Sequence, residues 1–369
     1  MTEYTDSFEI YNLISGLIVG PSQNSLRTRW NSIGIGNLSM GVKASPSGPL
    51  SLYLPFGASI SKTFLHQTKY TLGFRLNISS LSGVGGGAGS SLIDFCNCQR
   101  TLASLGVNPD GSVILFGNNT GSTVICQNAT VNLVTAATDC YVELIVVATD
   151  TGTDINVSGQ IWIDNVMVAS GNVNIGRNKN TLNSQAADFN SIFINSGVST
   201  NGQAYIWDLY LTDGSGTTNT GRLGSSIAPY GITSQPILPN ADTSTVQWTP
   251  LSGSVHFSEI NELPADGDTS YNATNVTGKI DSYDWQPIPT FTGTVKSVQI
   301  SYSCRSTAEG TMILKQNIGP AGVEQKGNSF GLCSTFNYQN HQAFDLDPAT
   351  GLAWLQSNFN IKAFGIELT

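Results

Sequence analysis

The chain has 369 residues and a formal net charge of −9, with 16 Lys and Arg against 25 Asp and Glu. With no cluster of basic residues it lacks the cationic density that nucleic acid or an anionic membrane surface demands. No apolar run is long enough to span a bilayer. Charged residues make up 11% of the chain and hydrophobic ones 40%, where soluble domains average roughly 25% charged. Ser, Thr, Asn and Gly fill the difference, a balance that favours strands joined by many turns. The length implies two or three domains.

The opening "MTEYTDSFEI" has neither the basic nor the apolar region of a signal peptide, so nothing there marks the chain for export. The N-x-[ST] sequons, which include Asn37, Asn77, Asn128, Asn156, Asn272 and Asn275, are then read as products of an Asn-, Ser- and Thr-rich composition. The dominant period further on is two. "YTLGFRLNI" (Tyr70–Ile78), "SVILFG" (Ser112–Gly117), "YVELIVVAT" (Tyr141–Thr149) and "GQIWIDNVMVAS" (Gly159–Ser170) read as strands. The last turns as a hairpin at Asp164-Asn165, residues that tolerate positive φ. Asn108–Ser112, "NPDGS", is a further turn. Leu81–Ser91, "LSGVGGGAGSS", is glycine-rich but ends in no Lys-Ser/Thr pair and opens no helix, which argues against a phosphate loop.

Three prolines in Ile227–Pro239, "IAPYGITSQPILP", interrupt the strand period and mark a boundary between residues 1–228 and 229–369. Beyond it, Val298, Ile300, Tyr302 and Cys304 alternate onto one strand face, and "MILKQNIG" is its expected strand partner. Near the end, Asp347 and Pro348 suit a helix start, with Leu352, Leu355 and Phe359 on one helical face before a last strand. The expected architecture is all-β, with a larger antiparallel sandwich followed by a smaller one bearing one short helix.

Residues for catalysis are sparse. Glycoside hydrolysis needs two carboxylates about 5 Å or about 6.5–9.5 Å apart. Glu259 and Glu262 have the wrong strand parity, and Asp266 with Asp268 and Asp345 with Asp347 sit beside Gly or Pro as solvated turn acids. His66, His256 and His341 share no short motif with a His, Cys or Asp, and no G-x-S-x-G elbow occurs. No enzymatic activity, metal or cofactor is expected. Of the six cysteines, Cys304 reads as core. Asp94, Cys96 and Cys98 share the strand face opposite Ile93 and Phe95. An i, i+2 pair on a strand is poorly placed to form a disulfide. Cys126, Cys140 or a neighbouring subunit are the available partners for Cys96 and Cys98, and buried inert thiols are the alternative.

"IWDLYLTDGSGTTNTGRLG" (Ile206–Gly224) resembles a "DDLYVNDGTGSxNNGFLG" segment of tailed-phage structural proteins with a concanavalin/laminin-G-like jelly roll. Three more segments follow in the same order: "ILPNADTSTVQWTPLSG", "SEINELPADGDTSYNATNVTGKIDSYDW" and "FDLDPATGLAWLQSNFNIKAFGIEL". The resemblance spans Ile206–Leu368, and the first two hundred residues match only in pattern. Its signature residues are Trp207, Asp208, Tyr210, Asp213, Gly214 and Gly216, although Trp207 stands here in place of a first Asp. The resemblance implies a virion structural component on the particle exterior, a minor tail, collar or capsid-decoration protein. Its partners would be further copies of itself and other virion proteins, with no nucleic acid and no membrane. It carries over no catalytic residue. The rival is an adhesin that binds a host surface glycan. Strand parity sets Tyr205, Trp207, Leu209 and Leu211 against Asp208 and Tyr210, and Asp213 alone is thin for calcium. The glycine-rich tail is then expected to leave the sandwich for the linker.

Overall fold

The computed structural model describes residues 2–6, 32–34, 41–44, 50–55, 57–82, 91–97, 100–117, 123–176, 187–196, 203–224, 234–262, 265–288, 293–307, 313–319, 325–332, 334, 336–359 and 363–369. Cys98, the sequon at Asn37, most of the glycine-rich loop after Leu81 and most of the proline-marked boundary lie outside the described residues. The chain forms two compact units, Met1–Ser234 and Gln235–Thr369.

The strands described in the first unit are β1 (Thr2–Asp6), β2 (Ser32–Gly34), β3 (Gly41–Ala44), β4 (Leu50–Leu54), β5 (Ser59–Gln67), β6 (Lys69–Ile78), β7 (Ser91–Asn97), β8 (Arg100–Val107), β9 (Val113–Phe116), β10 (Val124–Asn128), β11 (Cys140–Asp150), β12 (Asp154–Ile163), β13 (Val166–Gly176), β14 (Phe189–Asn195) and β15 (Ala204–Thr212). They build an antiparallel jelly-roll sandwich. One sheet runs β13-β12-β11-β6-β15-β4-β3, with β1 also on β15, and the other runs β10-β9-β8-β7-β14-β5-β2. Alternation supplies the core. Leu72, Phe74 and Leu76 of β6 and Val142, Leu144 and Val146 of β11 face Ile93 and Phe95 of β7 and Ile192 and Ile194 of β14 in one buried cluster. The β12–β13 hairpin turns at Asp164 (φ 46°) and Asn165 (φ 66°), the two positive-φ positions a tight antiparallel turn requires.

Strand β15 departs from the expected alternation. Trp207 pairs with Arg75 and Tyr210 with Gly73, so two residues, Asp208 and Leu209, oppose Phe74 alone. Asp208 occupies this bulge at φ 50°, which reverses the parity of everything after it. Tyr205 and Leu211 therefore lie on opposite faces. Arg75 Nε–H and the Ser234 backbone N–H donate to the two Asp208 oxygens at 3.0 Å each, which offsets the strained backbone.

The second unit contains β16 (Pro239–Val246), β17 (Thr249–Pro250), β18 (Asn272–Ala273), β19 (Ile280–Trp285), β20 (Val298–Cys304), β21 (Ile313–Gly319), β22 (Gln325–Gly331), β23 (Asn337–Phe344), α1 (Gln356–Phe359) and β24 (Ala363–Leu368). A sheet in the order β16-β19-β24-β21-β22 packs on the β20–β23 pair. Ile300 meets Trp354, Phe359 and Phe364, while Tyr302 and Cys304 pack near Ile366 and Leu368.

The helix is shorter than expected. The Asp347 carbonyl accepts from Thr350 N–H and Gly351 N–H, and its carboxylate accepts from Ala349 N–H at 2.9 Å. This closes a tight turn in place of a helix start. Helix begins only at Gln356, so Leu352 and Leu355 are 69% and 57% exposed. Trp354 takes the buried position and donates from Nε1 to the Phe344 carbonyl at 2.7 Å.

Candidate functional site on the seven-stranded sheet

The face of the seven-stranded sheet that points away from the core carries a transverse row of paired residues. Ser61 opposes Phe193, Phe193 opposes Asp94, Asp94 opposes Ser104 and Ser104 opposes Phe116. Directly opposed residues share a face, so Asp94 and Ser104 lie side by side between two phenylalanines. Phe116 is buried, but Phe193 is 37% exposed and presents its ring to solvent.

Asp94 is built into this face. Ser104 Oγ–H donates to its Oδ1 at 2.6 Å, Ser91 Oγ–H to its Oδ2 at 3.0 Å and Asn195 Nδ2–H to the same Oδ2 at 2.9 Å. Burial raises the carboxyl above its ordinary value, and the three hydrogen bonds pull the other way. A carboxylate offers about four acceptor positions. Three are filled from within the sheet, and one remains for a ligand.

Cys96, Cys126 and Cys140 are buried within the first unit. Cys96 shares the Asp94 face, as expected, but it is buried and its Sγ lies 3.4 Å from Thr101 Oγ1. Cys126 and Cys140 belong to the sandwich core, with Sγ–H directed at the carbonyls of Gly159 and Leu76. Cys96, Cys126, Cys140 and Cys304 are free thiols, so no disulfide occurs among the described residues. Burial pushes the Cys96 thiol up to about 12 and that of Cys126 up to about 11, and Cys140 is raised further still. Such thiols are poor nucleophiles for disulfide exchange.

The signature segment turns back onto the sandwich where an exit was expected. Asp213 accepts from the Ser215 N–H and Oγ–H at 2.9 and 2.7 Å, a local turn bond. Gly214 (φ 71°) and Gly216 (φ 74°) reverse the chain, and Lys69 Nζ donates to the Thr220 carbonyl at 2.9 Å. Arg222 then reaches Glu143 through Nε and Nη2, each at 2.8 Å, and lies 3.6 Å over the Trp162 ring. Leu223 N–H donates to Tyr210 Oη at 2.9 Å and Gly224 N–H to Glu143 Oε1 at 3.0 Å. Tyr210 and Glu143 are fully buried, so this group closes the structure and is not a binding surface. Trp207 is buried in the core and offers no stacking face.

Asp266, Asp268, Asp347, Glu259, His66 and His256 fall in structural roles, and the side chain of His341 lies outside the described residues. Ser270 donates to Asp266, and Asp268 pairs with Arg305. Asp347 is buried where a solvated acid was expected, and Glu259 is buried as well, accepting from Ser252 Oγ–H at 2.6 Å. His66 faces Asp188 at 3.0 Å. His256 Nδ1 meets Asp281 Oδ2 at 2.8 Å, and Asp281 also accepts from Tyr283 Oη–H and from the N–H groups of Gln247 and Trp248. Sequence spacing concealed that partnership, because the two residues are 25 apart. Among the described residues no cluster of His, Cys, Asp or Glu could hold a metal ion, and no helix is long and apolar enough to cross a membrane.

An antiparallel β-sandwich with an acid-and-aromatic outer face is the class of protein these observations define. No family model and no curated relative matches the chain. Among solved structures, the chain is similar to the alginate lyase Aly36B in complex with alginate trisaccharide, at 14% identity and a TM-score of 0.37, over 57% of this chain and 98% of that one. Lectin I-B4 from Griffonia simplicifolia aligns at 9% identity and a TM-score of 0.28, over 49% and 93%. An engineered GH43 glycoside hydrolase aligns at 13% identity and a TM-score of 0.32, over 47% and 36%. The expectation that the chain is not an enzyme is corrected by this set, which contains a lyase and glycosidases alongside a lectin. At these values the likeness is one of fold and assigns no activity.

Proposed function

We propose that the chain is a glycan-binding β-sandwich protein, with its binding face on the seven-stranded sheet around Asp94 and Phe193. The observation that carries the reading is the direct opposition of these two residues across β7 and β14. Sugar sites combine an aromatic surface for the apolar face of a pyranose with a few fixed polar groups that orient its hydroxyls. Phe193 supplies the first and the Asp94, Ser91, Ser104 and Asn195 group the second. The lectin among the similar structures is in keeping with this reading but adds no weight to it.

The place of action we propose is the exterior of a tailed-phage particle, as a minor tail, collar or decoration component present in several copies. Its support is the resemblance of Ile206–Leu368 to such proteins. A glycan microarray probed with the purified full chain tests the binding reading: saturable binding to a defined glycan set supports it, and uniform background across all glycans removes it. Cryo-electron microscopy of the particle tests the location.

A further inference from the structure

We infer that the Asp94 face selects uncharged glycans and turns away anionic ones such as polyuronates; this rests on the glycan-binding reading above. The side-chain donors around Asp94 are spent within the face itself. Ser104 and Ser91 each spend their single hydroxyl proton on Asp94. Asn195 has two amide protons, and its Nδ2 donates to Asp94 at 2.9 Å and to Ser91 Oγ at 3.3 Å. Ser191, further along the same face, directs its hydroxyl at Asn190 Oδ1. What these groups still offer to a ligand is lone pairs: one position on Asp94, those on the serine oxygens and the Asn195 Oδ1.

A sugar hydroxyl or an acetamido N–H can donate into such a surface. A ligand carboxylate or sulfate has only acceptors there and meets Asp94 as a like charge. Among the described strands of this face no cation compensates. The described strands of this face, β5, β7, β8, β9 and β14, carry two permanent cations, Lys62 and Arg100. Lys62 is in register with the core residue Ile192, and Arg100 donates through Nη1 to the Gly176 carbonyl of the opposite sheet at 2.9 Å. His66, also on β5, is paired with Asp188.

The test is calorimetric titration of the full chain with neutral and uronic-acid oligosaccharides of matched length at low salt, using wild type and Asp94→Asn. The wild type should bind the neutral sugar at least about tenfold more tightly, a difference of about 1.4 kcal/mol. Asp94→Asn removes the charge and introduces an amide donor, so it should narrow the gap by strengthening uronate binding. Should this variant fail to fold, the salt dependence of the wild type decides, because repulsion makes uronate binding strengthen as salt is added. Equal or tighter uronate binding by the wild type would overturn the inference and leave the glycan reading standing. Failure to bind any sugar would remove both.

Discussion

Tyr210 reaches Glu143 by lying across Gly73. Both residues are in register with that glycine, one on β15 and the other on β11, with β6 between them. A Cβ on Gly73 would stand 2.1 Å from Tyr210 Cε1 and 2.8 Å from Tyr141 Oη, where no side chain could remain. The glycine is thus what allows a tyrosine hydroxyl to meet a carboxylate two strands away, and Arg222 and the returning tail close over the pair.

Gly73→Ala should therefore destabilise the first unit by at least about 2 kcal/mol, because a fully buried ring whose hydroxyl is held by Glu143 and Leu223 cannot shift cheaply. Urea denaturation followed by tryptophan fluorescence measures this. A loss below about 0.5 kcal/mol would mean that the Tyr210 ring does not lie over Gly73.

Tyr210→Phe leaves the Leu223 N–H without its acceptor and Glu143 without one donor, a cost of about 1–3 kcal/mol. Arg222→Met is expected to cost more, about 3–5 kcal/mol, since it strands a carboxylate that is 1% exposed. Limited proteolysis should cut both variants within residues 213–224, where the wild type resists. Equal resistance in all three would show that this tail is not held by the Glu143 group.

Much of the scaffold was legible in the sequence, and the exceptions have physical causes. Period-two alternation located β6, β11 and the β12–β13 hairpin, because one face of each strand enters the apolar core, even though β6 and β11 are largely buried on both faces, and the hairpin turns at residues that tolerate positive φ. The bulge at Asp208 was hidden, since a non-glycine residue at φ 50° becomes tolerable only through Arg75 and Ser234, 133 and 26 positions away. Of the Asp94 site only the acid itself was visible, in that Asp94 and Cys96 were placed on one face. Phe193, Ser104 and Asn195 were not associated with it, because strand order, which local pattern does not encode, brings them there.

The thiols should be inert in the folded protein. With Cys96 raised to about 12 and Cys126 to about 11, almost no thiolate exists near pH 8, and access is closed as well. Site-resolved alkylation with iodoacetamide should label Cys96, Cys126 and Cys140 at least about a hundredfold more slowly in the native protein than in urea. Rapid native labelling of Cys140 would contradict its place in the core.

Asp94 should also leave a signature in the pH dependence of stability. Its folded-state pKa is raised by burial, so the folded protein takes up this proton before the unfolded chain does. Stability then falls as pH rises from the ordinary Asp value, about 3.9, through the raised one. The cost of the ionised group is fully present above that window. Relative to Asp94→Asn, the wild type should gain stability as pH is lowered from about 7 to about 4. A relative loss over that range would mean that hydrogen bonding to the carboxylate outweighs its burial.

The most direct measurement of the binding face is the affinity of Phe193→Ala for whichever glycan the wild type binds on an array, with melting temperature followed in parallel. Phe193 is 37% exposed and packs at the surface, so its removal should leave the melting temperature within about 2 °C. Affinity should fall at least about tenfold, or 1.4 kcal/mol. Undiminished affinity in a folded Phe193→Ala protein would contradict the placement of the glycan site on the seven-stranded sheet.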